Sequence, residues 1–259
     1  TIIKKGVFTT CKQNDSCPPW TIQAKEIEHD KINKNIIYKN AWLNFYDKPI
    51  LYFPKFFHPD PTIKRQSGFL IPSISSSSTS GNSLNIPYFH VISDNRDLTL
   101  SPRIFFNNDL LLQNEYRQVE KNLDHISDFS LKKFDNSSKS HFFSNTKILL
   151  DTSFENSDIE INLEKTSNDT YLKSDNIKSA INNNQSVLNS FINYSVNNDD
   201  LDFFAEVAAY EDLSKDKNSD KYQFILPNFS LSKILDVNKG NLKYALKGLS
   251  QKKNTNVSE

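Results

Sequence analysis

The sequence predicts an all-β chain built from antiparallel strands. Three observations predict it. Apolar and polar residues alternate with period two over most of the 259 residues. Polar connectors rich in Asn, Asp and Ser separate the alternating runs. Helical periodicity is nearly absent, apart from a short helix or irregular loop expected over residues 172–181.

The elements follow in order. Residues 2–10 read as a strand. Cys11 and Cys17 then flank a polar loop, KQNDS. Their spacing fits a disulfide in an oxidising compartment and fits two incidental thiols equally. Zinc is disfavoured, because no second Cys/His pair lies nearby. WTIQAKEIEHD (20–30) is a strand, and a turn near residues 33–35 leads to a second, IIYKNAWLNF. Their faces are mixed. In YDKPILYFPKFFHPDPTIKR, Pro49, Pro54, Pro59 and Pro61 are expected to break regular pairing, which places a domain boundary near residue 63. SGFLIPSISSSSTSGNSLNIPYF (67–89) reads as two strands joined by a serine-rich turn, with Pro72 and Pro87 near their middles.

Alternation is clearest beyond this point. DLTLSPRIFF sets Leu98, Leu100, Pro102, Ile104 and Phe106 against Asp97, Thr99, Ser101 and Arg103. DIEINLE sets Ile159, Ile161 and Leu163 against Asp158, Glu160, Asn162 and Glu164. SVLNSFINYSV and LDFFAEVAAY alternate likewise, and LLLQNEYRQ and NTKILLDTS do so less regularly. Short turns alternate with longer loops, which fits both an outer-membrane barrel and a soluble sandwich. Aromatics such as Phe105, Tyr116, Phe142 and Tyr194 end the apolar faces. A bilayer interface favours that, and so does plain strand propensity.

Composition excludes several classes. The net charge is +0, so no basic field points to nucleic acid. Mean hydropathy is −0.58, and no run approaches the roughly 20 apolar residues of a membrane helix. No GxSxG, HExxH, P-loop or GxGxxG motif occurs, and the five histidines lack ligand spacing. No enzyme, metal site or cofactor is expected. Glu26, Glu28, His29 and Asp30 read as a solvated strand face. The chain holds no Met and starts inside a strand, so a piece of a longer or processed product is expected.

The runs GVFTTC, CPPWTIQAKEIEHD, NAWLNFYDKPILYFPKFFHPDP, KRQSGFLIPSISSSSTSGNSLNIPYF, DLTLSPRIFF and LLLQNEYR together resemble the lipopolysaccharide-assembly outer-membrane protein family (LptD, also called OstA or Imp). The resemblance is dense over residues 6–117 and weaker through NDTYL and YQFILPNFSLS. It implies that residues 1–62 are the C-terminal end of a periplasmic β-jellyroll plus a proline-rich hinge. It implies that 63–259 are the N-terminal strands of a large transmembrane β-barrel, incomplete in this chain.

Such a protein receives lipopolysaccharide from an LptA-like periplasmic bridge. It carries an LptE-like lipoprotein plug and releases lipid sideways into the outer membrane between its first and last barrel strands. The family's proline motifs fall here on Gly68, Phe69 and Pro72, and on Pro87, as lateral-gate residues. Ile22, Ile36 and Trp42 are expected to line the lipid groove. In members with two long-range disulfides the cysteine at Cys11 pairs with one far along the barrel. Cys17 departs from the pattern, and a local Cys11–Cys17 bridge stays open beside an alternative distant partner. The rivals are a general porin or receptor barrel and a secreted glycan-binding β-sandwich.

Overall fold

The computed structural model describes residues 1–9, 20–32, 34–60, 62, 65–77, 79–107, 109–133, 137–216, 218–238 and 240–253. The chain is almost entirely antiparallel β-structure in two compact units, Thr1–Gln66 and Ser67–Glu259.

The first unit is a four-stranded sheet in sequential order. Its strands are β1 (Ile2–Phe8), β2 (Trp20–Asp30), β3 (Asn35–Phe45) and β4 (Lys48–Pro59). Pro49, Pro54 and Pro59 do not end the pairing of β4 with β3, but the ladder is irregular at two of them: the register shifts beside Pro49, and the row of Pro54 and Asn40 is skipped. Pro61 lies outside the described residues. β4 is an edge strand, where a missing N–H can face away from the ladder.

The mixed faces have a geometric cause. One row crosses all four strands at Lys5, Lys25, Asn40 and Pro54. Lys5 and Asn40 take positive φ, 57° and 50°. On one side of this row the inward residues are Ile22, Ala24, Ala41 and Leu43. On the other side they are Ile27, Ile36, Tyr38 and Phe56. Inward parity therefore switches from even to odd along β2. The sheet folds sharply here. Phe8 shares a row with Ile22, and His58 with His29, seven residues farther along β2 (22 to 29). That is about 23 Å of strand, yet the two ring centroids lie 5.2 Å apart. Strands that bend together in this way make the corner of a folded sheet.

The inside of the corner holds small residues. Gly6, Ala24 and Ala41 share the row next to the bend, and Ile27 lies over Gly6, where an added Cβ would come within 2.2 Å of its Cδ1.

The second unit is a 13-stranded sheet. It begins with four short strands: β5 (Gly68–Phe69), β6 (Ser73–Ser77), β7 (Gly81–Asn85) and β8 (Tyr88–Ser93). Long strands follow: β9 (Arg96–Phe105), β10 (Leu110–Glu120), β11 (Leu123–Lys133), β12 (Ser138–Leu149) and β13 (Asn156–Thr166). A segment carrying helix α1 (Tyr171–Ser174) leads to β14 (Val187–Asn198) and β15 (Leu201–Asp212). Helix α2 (Asn218–Lys221), β16 (Tyr222–Val237) and β17 (Gly240–Lys253) complete the unit. Each long strand pairs with its sequence neighbour. Connectors at one end are mostly two residues, such as 94–95 and 121–122, and those at the other reach 167–186.

The corner predicts a stability effect. Gly6→Val is expected to lower stability by about 1–3 kcal/mol, since the added atoms meet Ile27. Gly68→Ala, with nothing within 4 Å, is expected to change little. Denaturant unfolding followed by the fluorescence of Trp20 and Trp42, both in the four-stranded sheet, compares the two; equal midpoints would refute the packed corner.

Candidate functional site

Three features carry functional chemistry. The first is the trough inside the folded sheet. Ile22 and Ile36 both lie on its inner side, with Ala24, Tyr38, Ala41, Leu43, Phe53 and Phe56. Trp42 does not join them. It sits on the outer face, 45 % exposed, with its ring 5.0 Å from that of Tyr52. The Glu26 carboxylate accepts from Lys39 Nζ at 2.6 Å on that face, with Glu28 at 3.2 Å. The Lys39 bond holds the Glu26 carboxyl below its ordinary range.

His29 and Asp60 close one end of the trough, with Nε2 and Oδ2 2.5 Å apart. The backbone N–H and hydroxyl of Thr62 also donate to Asp60, at 2.8 and 2.7 Å. These two bonds first, and His29 after them, hold the Asp60 carboxyl below the usual range.

The second feature is the first hairpin of the 13-stranded sheet. Each expected long strand is broken at its proline. Phe69 pairs with Tyr88 and Ser73 with Asn85. Residues 70–72 therefore face only residues 86–87, which is a bulge with one extra residue on the edge strand. Pro87 accepts from the Leu70 N–H at 2.8 Å, and Pro102 from the Ile86 N–H at 3.1 Å. Neither proline can return the second bond that a regular antiparallel pair exchanges.

Register shows that Pro102 of β9 lies opposite Ile86, in line with the break. Three prolines, Pro72, Pro87 and Pro102, thus cross the first three strand positions in one band. The next strand carries Leu112 at this row, and the ladder is regular again. Along the outer edge Phe69, Ile71 and Ile74 are 76, 90 and 76 % exposed.

The third feature is the contrast between the two faces of β9 to β13. One face exposes Leu112, Phe129, Leu131, Phe142 and Leu163. The other buries Asp97, Asp128, Ser130, Lys132, His141, Asn162 and Glu164. Water-soluble sheets do the reverse.

Residues 167–186 lie across this polar face as a strap. Tyr171, Leu172 and Ile177 pack there against Phe105, Leu111, Phe143 and Leu188. The Tyr171 hydroxyl meets Ser130 Oγ at 2.7 Å, and Ser130 Oγ meets His141 Nδ1 at 2.6 Å. Asp175, 2 % exposed at its side chain, takes Lys132 Nζ at 2.5 Å. Arg103 donates to its carbonyl at 2.6 Å.

Sequence reasoning assigned no role to Ser80, Pro102, Lys132 or Asp175. Their sequence neighbourhoods are ordinary, and only pairing register and the strap's path bring them to these positions. Cys11 and Cys17 lie outside the described residues. Among the described residues no group of three or more His, Cys, Asp or Glu is placed to hold a metal, and no helix is long and apolar enough to cross a membrane.

Comparison with known proteins follows the sequence motifs. The chain is 35 % identical over 118 residues to the LPS-assembly protein LptD of Cupriavidus pinatubonensis. It is 34 % identical over 120 residues to that of Nitrosomonas europaea, and 33 % over 117 residues to that of Legionella pneumophila strain Paris. Over the matched stretch the chain is similar to LptD proteins. These matches cover 45–46 % of this chain and only 14–16 % of the relatives' own lengths. No family model matches the chain.

The Asp60 contacts give a pH dependence. A carboxyl whose folded pKa is depressed adds stability above its ordinary value, about 3.9, and loses it as pH falls through the folded value. The melting temperature of the protein is expected to drop as pH falls below about 4, and Asp60→Asn to flatten that drop. A melt series across this range that is identical for the two proteins would remove the role given to Asp60.

Proposed function

We propose that the chain is the middle of an outer-membrane lipopolysaccharide translocon, where a periplasmic trough hands lipid to a barrel with a lateral gate. The inverted sheet carries this reading: leucines and phenylalanines face outward while Asp128, Lys132 and Asp175 are buried. Such a face is stable against hydrocarbon and a liability against water. Strands β9 to β15, at 10–12 residues each, suit the roughly 9–11 residues of a tilted membrane strand. On this reading residues 1–62 are the end of the jellyroll plus the hinge, in the periplasm. Residues 63–259 are the first barrel strands, in the outer membrane. An LptA-like protein feeds the trough, an LptE-like lipoprotein plugs the complete barrel, and strands beyond β17 close it.

Lipid acyl chains travel along the inner side of the folded sheet, past Ile22 and Ile36. Trp42, on the outer face, is left out of the groove. The gate is the edge formed by β5 and β6. Its exposed apolar residues call for a partner strand, which in a closed barrel is the last one. Gly68, Phe69, Pro72 and Pro87 form the weak part of that seam, and Pro102 extends the weakness one strand inward. A soluble glycan-binding sandwich is disfavoured because the apolar face of β9 to β13 is exposed. A general porin has no need of the folded sheet or of the proline band.

Photocrosslinking in the full-length protein tests the reading. A crosslinker at Ile22 or Ile36 is expected to capture lipopolysaccharide, and one at Trp42 to capture several-fold less. Adducts only at Trp42, or at none of the three, would sink the groove.

The gate is tested by replacing Pro72, Pro87 and Pro102 together with alanine, which restores three donors. Export to the cell surface is expected to slow severalfold, with the Pro102→Ala change alone giving a measurable part. Export at the unaltered rate in the triple variant would rule out the weakened seam.

A further inference from the structure

The strap over the polar face reaches from β13 to the tip of the first hairpin. Ser80, in the turn between β6 and β7, donates to the carbonyl of Ser174 at 2.5 Å and meets Asp175 Oδ1 at 2.9 Å. The partners stand 94 and 95 positions apart in sequence. Asp175 is itself fixed from below by Lys132 of β11 and Arg103 of β9. Gln113 of β10 holds the strap farther along, at the Lys178 carbonyl, 2.8 Å away. At its start Asp169 accepts from Lys221 at 2.6 Å. The strap is therefore anchored on three long strands and at α2, while its hold on the hairpin is at the tip.

Below the tip the hairpin and the strap part. A polar cavity of about 290 Å³ lies between them, lined among others by Ser73, Ser75, Asn85, Gln113, Glu115 and Lys178. The proline band sits at this level. The hairpin is thus tied to the strap at its turn only, paired with β9 through Ser83 to Asn85, and weakly paired at its break.

We propose that residues 167–186 form a latch that sets the freedom of the first hairpin through Ser80 and Asp175. With the latch closed, the tip stays over the polar face and the seam strand is held in its place. With Ser80 released, the hairpin swings at the proline band, and the cavity gives it room on the inner side. The charge on Asp175 strengthens its bond to the Ser80 hydroxyl, and Lys132 keeps that carboxylate aimed. Control of lipid release by this latch rests on the translocon reading; the latch itself does not.

The test uses full-length protein in lipid nanodiscs, with spin labels on non-cysteine handles at Thr79 and Ser138. One narrow distance distribution is expected for the unaltered protein. A broad one is expected for Ser80→Ala and for Asp175→Ala. Ser80→Ala keeps the buried Lys132–Asp175 pair and so tests the latch even if Asp175→Ala fails to assemble. An unchanged distribution in Ser80→Ala overturns the latch. The double variant Ser80→Cys, Asp175→Cys is expected to restore the narrow distribution when oxidised. It is also expected to slow lipopolysaccharide export at least threefold, reversibly with reductant. Full export in the oxidised variant overturns the control of release. A tip loosened by Ser80→Ala, in a protein that exports no lipopolysaccharide and gives no adducts at Ile22 or Ile36, upholds the latch and refutes the translocon.

Discussion

Proline removes one donor from a β-ladder, and in both units the structure depends on where that donor is missing. Pro54 sits in the edge strand of the four-stranded sheet, at the row where Lys5 and Asn40 take positive φ. The loss there coincides with a fold of the whole sheet, and the ladder recovers on both sides. Pro72, Pro87 and Pro102 sit side by side across neighbouring strands of the larger sheet. There the losses accumulate. Each neighbouring pair keeps one bond of two, and the bulge at residues 70–72 adds an unpaired residue. A net backbone hydrogen bond is worth about 0.5–1.5 kcal/mol in water and more where water is excluded. Two or three such losses in one band change which part of the sheet yields first, without endangering the regular ladder from β10 to β15 beyond it.

The polar face shows the complementary economy. Lys132 and Asp175 are both almost fully buried, and removing one partner of such a pair typically costs about 3–5 kcal/mol. Replacing both by apolar groups would cost much less. The pair therefore does more for specificity than for net stability: it fixes which residue of the strap lies over β11. The apolar cluster of Tyr171, Leu172 and Ile177 supplies burial area without choosing a register. The charge pair chooses it, and Ser80 then meets Asp175 as a consequence.

Much of the fold was legible in the sequence. In β9 and β13 the alternation of apolar and polar residues gave the correct faces, because each strand has one face buried and period two is then unambiguous. The broken first hairpin was visible as two prolines in two strands. The folded sheet was not legible. Its inward parity changes at Lys5 and Asn40, each inside a run that reads as one continuous strand, so the faces looked mixed. That same change sent Trp42 to the outer side while Ile22 and Ile36 stayed within. The prolines of residues 46–65 suggested broken pairing because sequence does not reveal that β4 is an edge strand. Pro102 was read as a member of an apolar face, and its alignment with Ile86 needed the register of three strands. The contacts of Asp175 span 43 to 95 positions and leave no local trace.

The position of the latch relative to the proline band has a mechanical consequence. A hairpin held only at its base would flex most at the tip. This one is tied at the tip, and its ladder is weakest nearer the base, so bending is concentrated at residues 70–72 and 86–87. The edge residues Phe69 and Ile71 flank that point and are strongly exposed. Apolar side chains at the bending point of an edge are where a lipid chain can replace a partner strand at least cost, since van der Waals contact is kept while only weakened hydrogen bonds are lost. On the translocon reading proposed above, opening begins in the middle of the seam and not at its outer rim. On that same reading, a polar headgroup stays beside Ser73, Ser75, Asn85 and Glu115 on the inner side while the chains pass outward. The placement of the prolines, the cavity and the strap is consistent with a single direction of movement, from the polar face through the edge.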